Sequence, residues 1–290
     1  MNLPQNVTFN LPGANVYLPK GDDFLTAARG ITHLGIGAHQ DDLEFMAYHG
    51  IAECFQVPDR SFGGVICTNG AGSARTGPYA SYSGEEMRAI RQQEQRTAAL
   101  LGDYGLMAQF DYPTADLKDP ADHRLSQDLI ALFTEVRPQV VYTHSPADKH
   151  ETHLVVLREV LLALRSLPAD RRPAKVLGCE VWRDLDWMLD EEKVAMDVSA
   201  RPHLAAALNG VFDSQIAGGK RYDLATEGRR RANATYFTSH AVDAASHLAF
   251  AMDLTPLVHD DTLNPVAYTL GFIDRFRQDV ATKLSQALGR

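Results

Sequence analysis

Two short clusters of histidine and aspartate stand out as residues that could do chemistry together. The first, His39-Gln40-Asp41-Asp42, follows an apolar run that begins at Ile31. The second runs from Asp148 to His153 and follows the apolar residues 139–142. Imidazole and carboxylate groups together suit Zn²⁺ or another divalent ion acting as a Lewis acid. If the two clusters converge on one ion, the chain can be interpreted as a metal-dependent enzyme.

The spacing inside each cluster favours convergence. His39 and Asp42 are three residues apart and can point at one centre, whereas Asp41 would point differently and stay outside the ligand set. His150 and His153 are also three apart, so the start of a helix would place them on one face. Taken singly, the clusters suit a polar turn and a capping turn with surface histidines, but together they favour a metal site. At a helix N-terminus, both aspartates are expected to stay ionised.

Alternating strand and helix patterns must position these clusters. We predict strands at residues 31–38, 63–68, 106–110, 139–143 and 175–181, and helices at 43–54, 84–101, 125–135 and 153–167, with Ser83 and Glu86 forming a capping box. This alternation predicts an α/β fold, a Rossmann-like and mainly parallel sheet with helices on both faces. Both clusters would then lie at carboxyl ends of strands, where ligands collect in such sheets.

The pattern weakens after residue 182. A short strand at 196–198 and a helix at 203–216 are the only elements that we predict there. We therefore expect a single domain over residues 1–290, with a core of about 31–185 and a C-terminal extension of about 186–290. Residues 69–82 are rich in Gly, Ser and Ala and predict a long loop, of the kind that often lines a site.

Taken in order, three motifs resemble the LmbE-like (PIG-L) family of zinc-dependent N-acetylglucosaminyl deacetylases. That family carries Ala-His-Pro-Asp-Asp after its first strand, an Arg-x-x-Glu helix that ends in Leu-Gly, and His-Pro-Asp-His after a later strand. This chain has His39 to Glu44 at the first motif, Arg91, Glu94 and Leu101-Gly102 at the second, and His150 to His153 at the third. Ser214-Gln215 resembles a weaker family feature.

The resemblance implies an activity and a set of ligands. A metal-activated water would remove an N-acetyl group from an amino sugar or sugar conjugate, releasing acetate and an amine. His39, Asp42 and His153 would hold Zn²⁺ or another divalent metal, and Asp41 would be the general base.

The resemblance implies that the second cluster protonates the leaving group. By resemblance, His150 would stand near the oxyanion as an imidazolium and protonate the departing amine, and Asp148 would orient His150. Arg91 is a candidate for substrate contact, although an ion pair with Glu94 explains it equally well.

Three positions depart from the family pattern. Gln40, Glu151 and Thr152 replace its proline, proline and aspartate. None of these is an expected ligand, but Thr152 removes a carboxylate of the kind that orients metal ligands, so metal affinity or preference could differ.

Other functions stay open. The chain could hydrolyse a non-sugar N-acyl amide, since only the pocket would differ. It could be a non-catalytic sugar- or nucleotide-binding module on the same sheet, or a structural protein without metal. Trp182 and Trp187 could stack on a sugar, but core packing is favoured.

Composition bounds the partners. The net charge of −9 argues against nucleic acid, and three cysteines without a CxxC pair indicate reduced thiols in a cytoplasm. Residues 1–6 lack the features of a signal peptide, and no apolar run approaches a membrane span. The sequence has no glycine-rich phosphate-binding motif, so we expect no nucleotide cofactor. We expect a small N-acetylated substrate, a sugar above all, and leave open whether the chain forms a homo-oligomer.

Overall fold

The computed structural model describes residue 4 and residues 7–289. The prediction about a leader concerned residues 1–6, which apart from Pro4 lie outside the described residues. The strands are β1 (Asn15–Tyr17), β2 (His33–Gly37), β3 (Phe62–Thr68), β4 (Leu106–Tyr112), β5 (Val140–His144), β6 (Lys175–Cys179), β7 (Val194–Asp197) and β8 (Leu248–Asp253). The helices are α1 (Phe24–Gly30), α2 (Asp42–Met46), α3 (Tyr48–Cys54), α4 (Gly84–Leu101), α5 (Thr114–Leu117), α6 (Arg124–Phe133), α7 (Glu151–Ser166), α8 (Pro202–Gly210), α9 (Asp213–Ile216), α10 (Tyr222–Tyr236), α11 (Thr255–His259) and α12 (Pro265–Ala287).

These strands form one eight-stranded sheet in the order β1-β4-β3-β2-β5-β6-β8-β7. The five central strands, β4-β3-β2-β5-β6, are parallel, whereas β1, β8 and β7 pair antiparallel with their neighbours. The predicted α/β fold with a mainly parallel sheet is confirmed. The chain moves outward in opposite directions from β2 and from β5, so the two strands flank the point where open α/β sheets bind ligands.

Buried apolar side chains cover both faces of the sheet. On one face the cluster includes Leu34, Ile36 and Val65 from the strands, packed against α7 residues such as Val160. On the other face Ile66 and Met107 belong to a cluster with residues of α2, α3, α4 and α8. Alternate side chains of each strand therefore enter different cores, as expected for a sheet covered by helices on both sides.

Two glycines in β2 allow the first predicted ligand helix to approach the sheet. A Cβ atom at Gly35 would lie 2.9 Å from the Leu43 side chain, and one at Gly37 would lie 2.9 Å from the Cβ of Asp42. Because these distances are shorter than real Cβ contacts, a Cβ at Gly35 would displace the Leu43 side chain, and one at Gly37 would push Asp42 away. The absence of a side chain at Gly37 therefore lets Asp42 lie close to the end of β2.

The C-terminal part is more ordered than its sequence pattern predicts. Besides the expected strand and helix, it contributes β8, which enters the sheet between β6 and β7, and the helices α10, α11 and α12. The predicted helix at 203–216 is divided into α8 and α9. The capping box of Ser83 and Glu86 at the start of α4 is confirmed. The single-domain organisation stays a prediction.

Within residues 7–289, no helix has both the length and the apolar character that a membrane-spanning segment requires.

Candidate metal centre

The ends of β2 and β5 bring the two clusters together. After β2 the chain turns through Asp41, which has a left-handed backbone (φ 97°), and enters α2 at Asp42. After β5 it passes Asp148 and begins α7 at Glu151, with His150 as the N-cap residue. Because β2 and β5 are parallel neighbours, both turns lie at the same edge of the sheet.

All three predicted metal ligands meet at this edge of the sheet. His39 Nδ1 lies 3.2 Å from His153 Nε2, and each of these atoms lies 3.4 Å from Asp42 Oδ2. Ligand atoms bound to zinc at about 2.0–2.1 Å in a tetrahedron are about 3.3–3.4 Å apart. The three atoms thus occupy one face of a tetrahedron of the right size, and the residues fit a divalent metal with a fourth position free.

A fourth imidazole, which sequence reasoning missed, lies behind this triangle. His144 Nε2 is 3.4 Å from Asp42 Oδ2, and its ring stacks on His153 with centroids 3.8 Å apart. His144 Nε2 accepts a hydrogen bond from the backbone N–H of Ala38 at 2.9 Å, so its lone pair is already used. Burial lowers the pKa of His144 well below its usual value, in keeping with a neutral, accepting ring. The available signal was its position immediately after the predicted strand 139–143.

Asp148 orients a different histidine from the one predicted. Its Oδ2 accepts from Nδ1 of the His153 ring at 3.2 Å, and its Oδ1 accepts only the backbone N–H of His150. The prediction that Asp148 positions the His150 ring is therefore wrong in this structure. Since a carboxylate on Nδ1 leaves Nε2 free to bind metal, Asp148 supplies the orienting group that Thr152 was expected to leave missing.

Side chains of helix α4 contact the first cluster through an ion pair and hydrogen bonds. Arg91 is 2% exposed, and its guanidinium lies 3.1 Å from Asp41 Oδ2 and 3.6 Å from Glu94 Oε2. It also donates to the backbone carbonyl of Gln40. Gln95 Oε1 accepts from the Asp41 backbone N–H at 3.1 Å. Arg91 thus forms the ion pair with Glu94 and also lines the cavity, and its contact with a substrate stays a prediction.

The two adjacent aspartates differ in charge behaviour. Burial raises the pKa of Asp41 to about 7, against the opposing effect of Arg91. Burial acts on Asp42 in the same direction, but His153, His144 and His39 outweigh it and hold the Asp42 pKa well below its ordinary value. Burial therefore makes the Asp41 carboxyl harder to ionise than the helix N-terminus alone predicts, whereas the surroundings of Asp42 favour its charged form.

His150 completes the group of imidazoles. Its ring centroid lies 4.8 Å from the centroids of both His39 and His153. Burial, with those two rings, lowers the pKa of His150 to about 4. Burial therefore favours the neutral ring in the absence of substrate, and the role of His150 as an imidazolium stays a prediction.

A cavity of about 660 Å³ opens above the triangle, in the usual size range of small-molecule sites. His39, Asp41, Asp42 and His150 lie in its floor. Its outer wall, as we call it below, comes from the segment after β6 and from the C-terminal part of the chain, and it comprises Glu180, Trp182, Lys220, Tyr222 and Arg229. Trp182 is 37% exposed, so the preference for core packing is wrong for this residue, whereas Trp187 packs against the core.

The Gly- and Ser-rich loop forms another side of the cavity. Gly70, Gly72 and Ser73 line it. Further along, Tyr79 donates a 2.6 Å hydrogen bond to Asp213, and Thr76 donates to the carbonyl of Gly218. Ser214, in the weak motif near the C-terminus, donates its N–H and its hydroxyl to Glu94, both at 2.7 Å. The loop, α9 and α4 are thus tied together around the cavity.

Comparison with known proteins identifies a family model. The model described as "PIG-L: GlcNAc-PI de-N-acetylase" matches residues 34–164, which include both histidine clusters and the Arg-x-x-Glu helix. No protein of curated function matches the chain.

Solved structures share the fold at low sequence identity. N,N′-diacetylchitobiose deacetylase from Pyrococcus horikoshii superposes with a TM-score of 0.58 at 16% identity, over 80% of this chain and 88% of its own. GalB, the 4-carboxy-2-hydroxymuconate hydratase from Pseudomonas putida, gives 0.58 at 16% identity, over 77% and 96%. A deacetylase of teicoplanin biosynthesis gives 0.54 at 14% identity, over 77% and 97%. The same fold therefore supports more than one reaction.

Proposed function

We propose, on the premise that residues 34–164 match the PIG-L family model, that the chain is a metal-dependent hydrolase that removes the acetyl group from an N-acetylated amino sugar. One observation carries the proposal. The three nitrogen and oxygen atoms of His39, Asp42 and His153 are spaced as zinc ligands, with Asp41 beside them in the floor of the cavity. Deacetylases among the structures of the same fold support the sugar amide as the substrate class.

His39, Asp42 and His153 would hold Zn²⁺ or another divalent ion. Such an ion would act as a Lewis acid on the amide carbonyl and lower the pKa of water. Asp148 fixes the His153 ring, and the short α2 places Asp42 against His39. The protein thereby presents an open site with two neutral donors and one anionic donor.

Asp41 and His150 would transfer the protons of the reaction. Asp41 would accept a proton from the attacking water, with Arg91 holding its carboxyl in place through the 3.1 Å contact. His150 lies on the side of the outer wall, 6.3 Å from Trp182 between ring centroids. We place the leaving amine there. The proton that Asp41 takes from the water would pass through solvent in the cavity to His150, which would donate it to the amine nitrogen as the carbon–nitrogen bond breaks. Acetate and a free amino sugar would leave.

The outer wall suits a sugar. Trp182 offers an aromatic face, and Tyr222 stands edge-on to it with centroids 5.8 Å apart. Lys220 lies 5.3 Å from the Trp182 ring centroid. We propose a small-molecule substrate whose ring rests against this wall. With three buried free thiols, we further propose a cytoplasmic location.

Metal content and acetate release test the proposal together. We expect about one metal ion per wild-type chain, loss of metal in His153→Ala, and no change in the control His203→Ala, which alters an exposed histidine of α8. Wild type should release acetate from N-acetylglucosamine or N,N′-diacetylchitobiose. Asp41→Asn should keep the metal and lose about 10²–10⁴-fold in turnover.

Two outcomes would contradict the proposal. The first is a chain that neither contains nor gains metal. The second is a metal-loaded chain that releases no acetate from N-acetylated sugars but consumes 4-carboxy-2-hydroxymuconate, which would indicate a hydratase like its structural neighbour. If the chain releases acetate only from a non-sugar N-acyl amide, the proposed metal chemistry stands and the proposed substrate class is wrong.

A further inference from the structure

The last helix carries an exposed apolar stripe that the catalytic site does not use. On α12, six large apolar side chains are between 41% and 67% exposed: Val266, Leu270, Ile273, Val280, Leu284 and, at the C-cap, Leu288. At about 100° per residue they fall, together with Arg277, within an arc of about 80° on one side of the helix. Monomeric proteins seldom leave so regular an apolar surface in water.

The first half of this stripe borders a groove. A depression of about 500 Å³ lies between α7 and α12, lined by Leu154, Leu161 and Leu162 on one side and by Val266, Leu270 and Ile273 on the other. Leu154 and Leu162 are themselves 38% and 43% exposed. The groove is thus an open and mainly apolar surface, with Arg158 and Arg165 as the charged residues among those that line it.

The second half of the stripe projects from the body. Beyond Phe276 nearly every residue of α12 is exposed, including the apolar Val280, Leu284 and Leu288. We call residues 277–288 the arm. Its apolar side chains have the same three- and four-residue spacing as those that line the groove, which is the spacing of a helix pairing seam.

The stripe is symmetric about Arg277. Ile273 and Val280 lie four and three residues from it, Leu270 and Leu284 lie seven on either side, and Val266 and Leu288 lie eleven on either side. An antiparallel second α12, centred on the same residue, would therefore place each arm leucine opposite a groove residue. A two-fold axis produces this self-complementary arrangement.

The central arginine fits such an axis. Arg277 lies 3.4 Å from Asp274 of its own helix, so each arginine already has a counter-ion. Two copies would bring together a charge-balanced group of two arginines and two aspartates. A polar residue within an apolar seam also fixes the register of pairing helices.

We propose that two copies of this chain associate through antiparallel α12 helices, the arm of each copy lying in the groove of the other. The seam extends over about 33 Å of helix. The groove is also lined by Pro146 and Ala147, the residues that precede Asp148. The second copy would therefore pack against the loop that orients His153, so dimer formation would support the site from behind.

Sedimentation equilibrium tests the proposal through a charge pair. Wild type should have twice the chain mass of 31.9 kDa. Leu270→Asp and Leu284→Lys should each raise the dissociation constant of the dimer by about 100-fold or more, because an unpaired charge would enter the seam. In the double variant Leu270→Asp/Leu284→Lys, the introduced carboxylate of each copy would face the introduced ammonium group of the other, so association should return. Thr282→Lys, on the opposite side of the arm, should behave as wild type.

The outcomes separate the alternatives. A wild-type monomer, or a dimer that ignores both single substitutions, would overturn the proposal. A double variant that stays dissociated would overturn the antiparallel register, because parallel helices would place like charges together. Monomeric wild type that sediments with vesicles of phosphatidylcholine and phosphatidylserine would assign the stripe to a membrane surface instead. Because both leucines are exposed, unchanged circular dichroism and Tm should show that the variants fold.

Discussion

The floor and the outer wall of the cavity are built in opposite ways. His39 and Asp42 in the floor, together with His153 beside them, follow the ends of two neighbouring parallel strands, and Asp42 and His153 are at most 2% exposed. Trp182 and Tyr222 in the wall come from the segment after β6 and from α10, and both are partly exposed. Side chains held in a buried network have little freedom, whereas those of the wall can adapt. We infer that the floor determines the reaction and the wall selects the substrate.

The two regions also treat carboxylates differently. Asp42 in the floor is surrounded by imidazoles that lower its pKa in spite of burial. Glu180 in the wall is also buried, but its pKa is raised, because burial outweighs the hydrogen bonds from Phe250 and Asn233 and the charge of Arg229. The floor therefore stabilises the anion that a metal ligand must be, and the wall favours a neutral acid.

Among the substitutions that test this comparison, the largest effect should come from one that separates the two regions. Asp148 joins them, because the oxygen that accepts from the His153 ring also accepts the Trp182 backbone N–H at 3.3 Å. Asp148→Asn keeps the shape but removes the charge, and we expect metal affinity to fall about 10–100-fold. Competition with a chelator of known affinity measures this.

Asp170→Asn, in an exposed position after α7, serves as the control and should leave metal affinity unchanged. If Asp148→Asn binds metal as tightly as wild type, then the His153 ring does not need its partner, and the floor is less dependent on this loop than its geometry indicates.

The floor could be predicted from sequence because it follows from topology. Parallel strands place their carboxyl ends at one edge, so a His and an Asp after each of two strands must come close. The details that were missed depend on the exact start of a helix. Because α7 begins at Glu151, two residues before its predicted start, Asp148 meets the ring of His153 and only the backbone of His150.

The wall could not be predicted because its elements lack an apolar pattern. Helix α10 buries only Arg230 and Ala234 among its residues. Its position is set by polar contacts instead, since the Arg230 guanidinium donates to the carbonyls of Glu44 and Phe45. Such contacts join residues far apart in the chain, and periodicity carries no information about them. The strand β8 was missed in the same region, although its apolar run fits its place inside the sheet.

A substitution in the wall should weaken substrate binding and leave the rate of the chemical step nearly unchanged. We expect Trp182→Ala to raise KM for the N-acetylated sugar about 3–10-fold while kcat stays within about twofold, because the ring contributes contact area and no proton. Steady-state kinetics on the metal-loaded protein measures both constants. Trp182→Phe, which keeps an aromatic face, should recover most of the lost affinity. A large fall in kcat with KM unchanged would place Trp182 in the reaction and remove the distinction between floor and wall.

The smallest effect should come from the carboxyl of the wall, and it concerns stability. The pKa of Glu180 is raised in the folded protein, so folding favours its protonated form. Stability is therefore greatest below the unfolded-state pKa of about 4.3 and is lost as pH rises through the folded-state pKa. Glu180→Gln removes this loss. As pH rises above the unfolded-state pKa of about 4.3, the Tm of the variant should increase relative to that of wild type, by about 1–2 °C.

Glu191→Gln, at an exposed carboxylate, should follow wild type at every pH. The sign of the Tm difference between Glu180→Gln and wild type tests the environment of Glu180, because surroundings like those of Asp42 would stabilise the charged form instead. If wild type gains on Glu180→Gln as pH rises, the wall holds an anion as the floor does, and Glu180 would then be available to pair with a cationic group of the substrate.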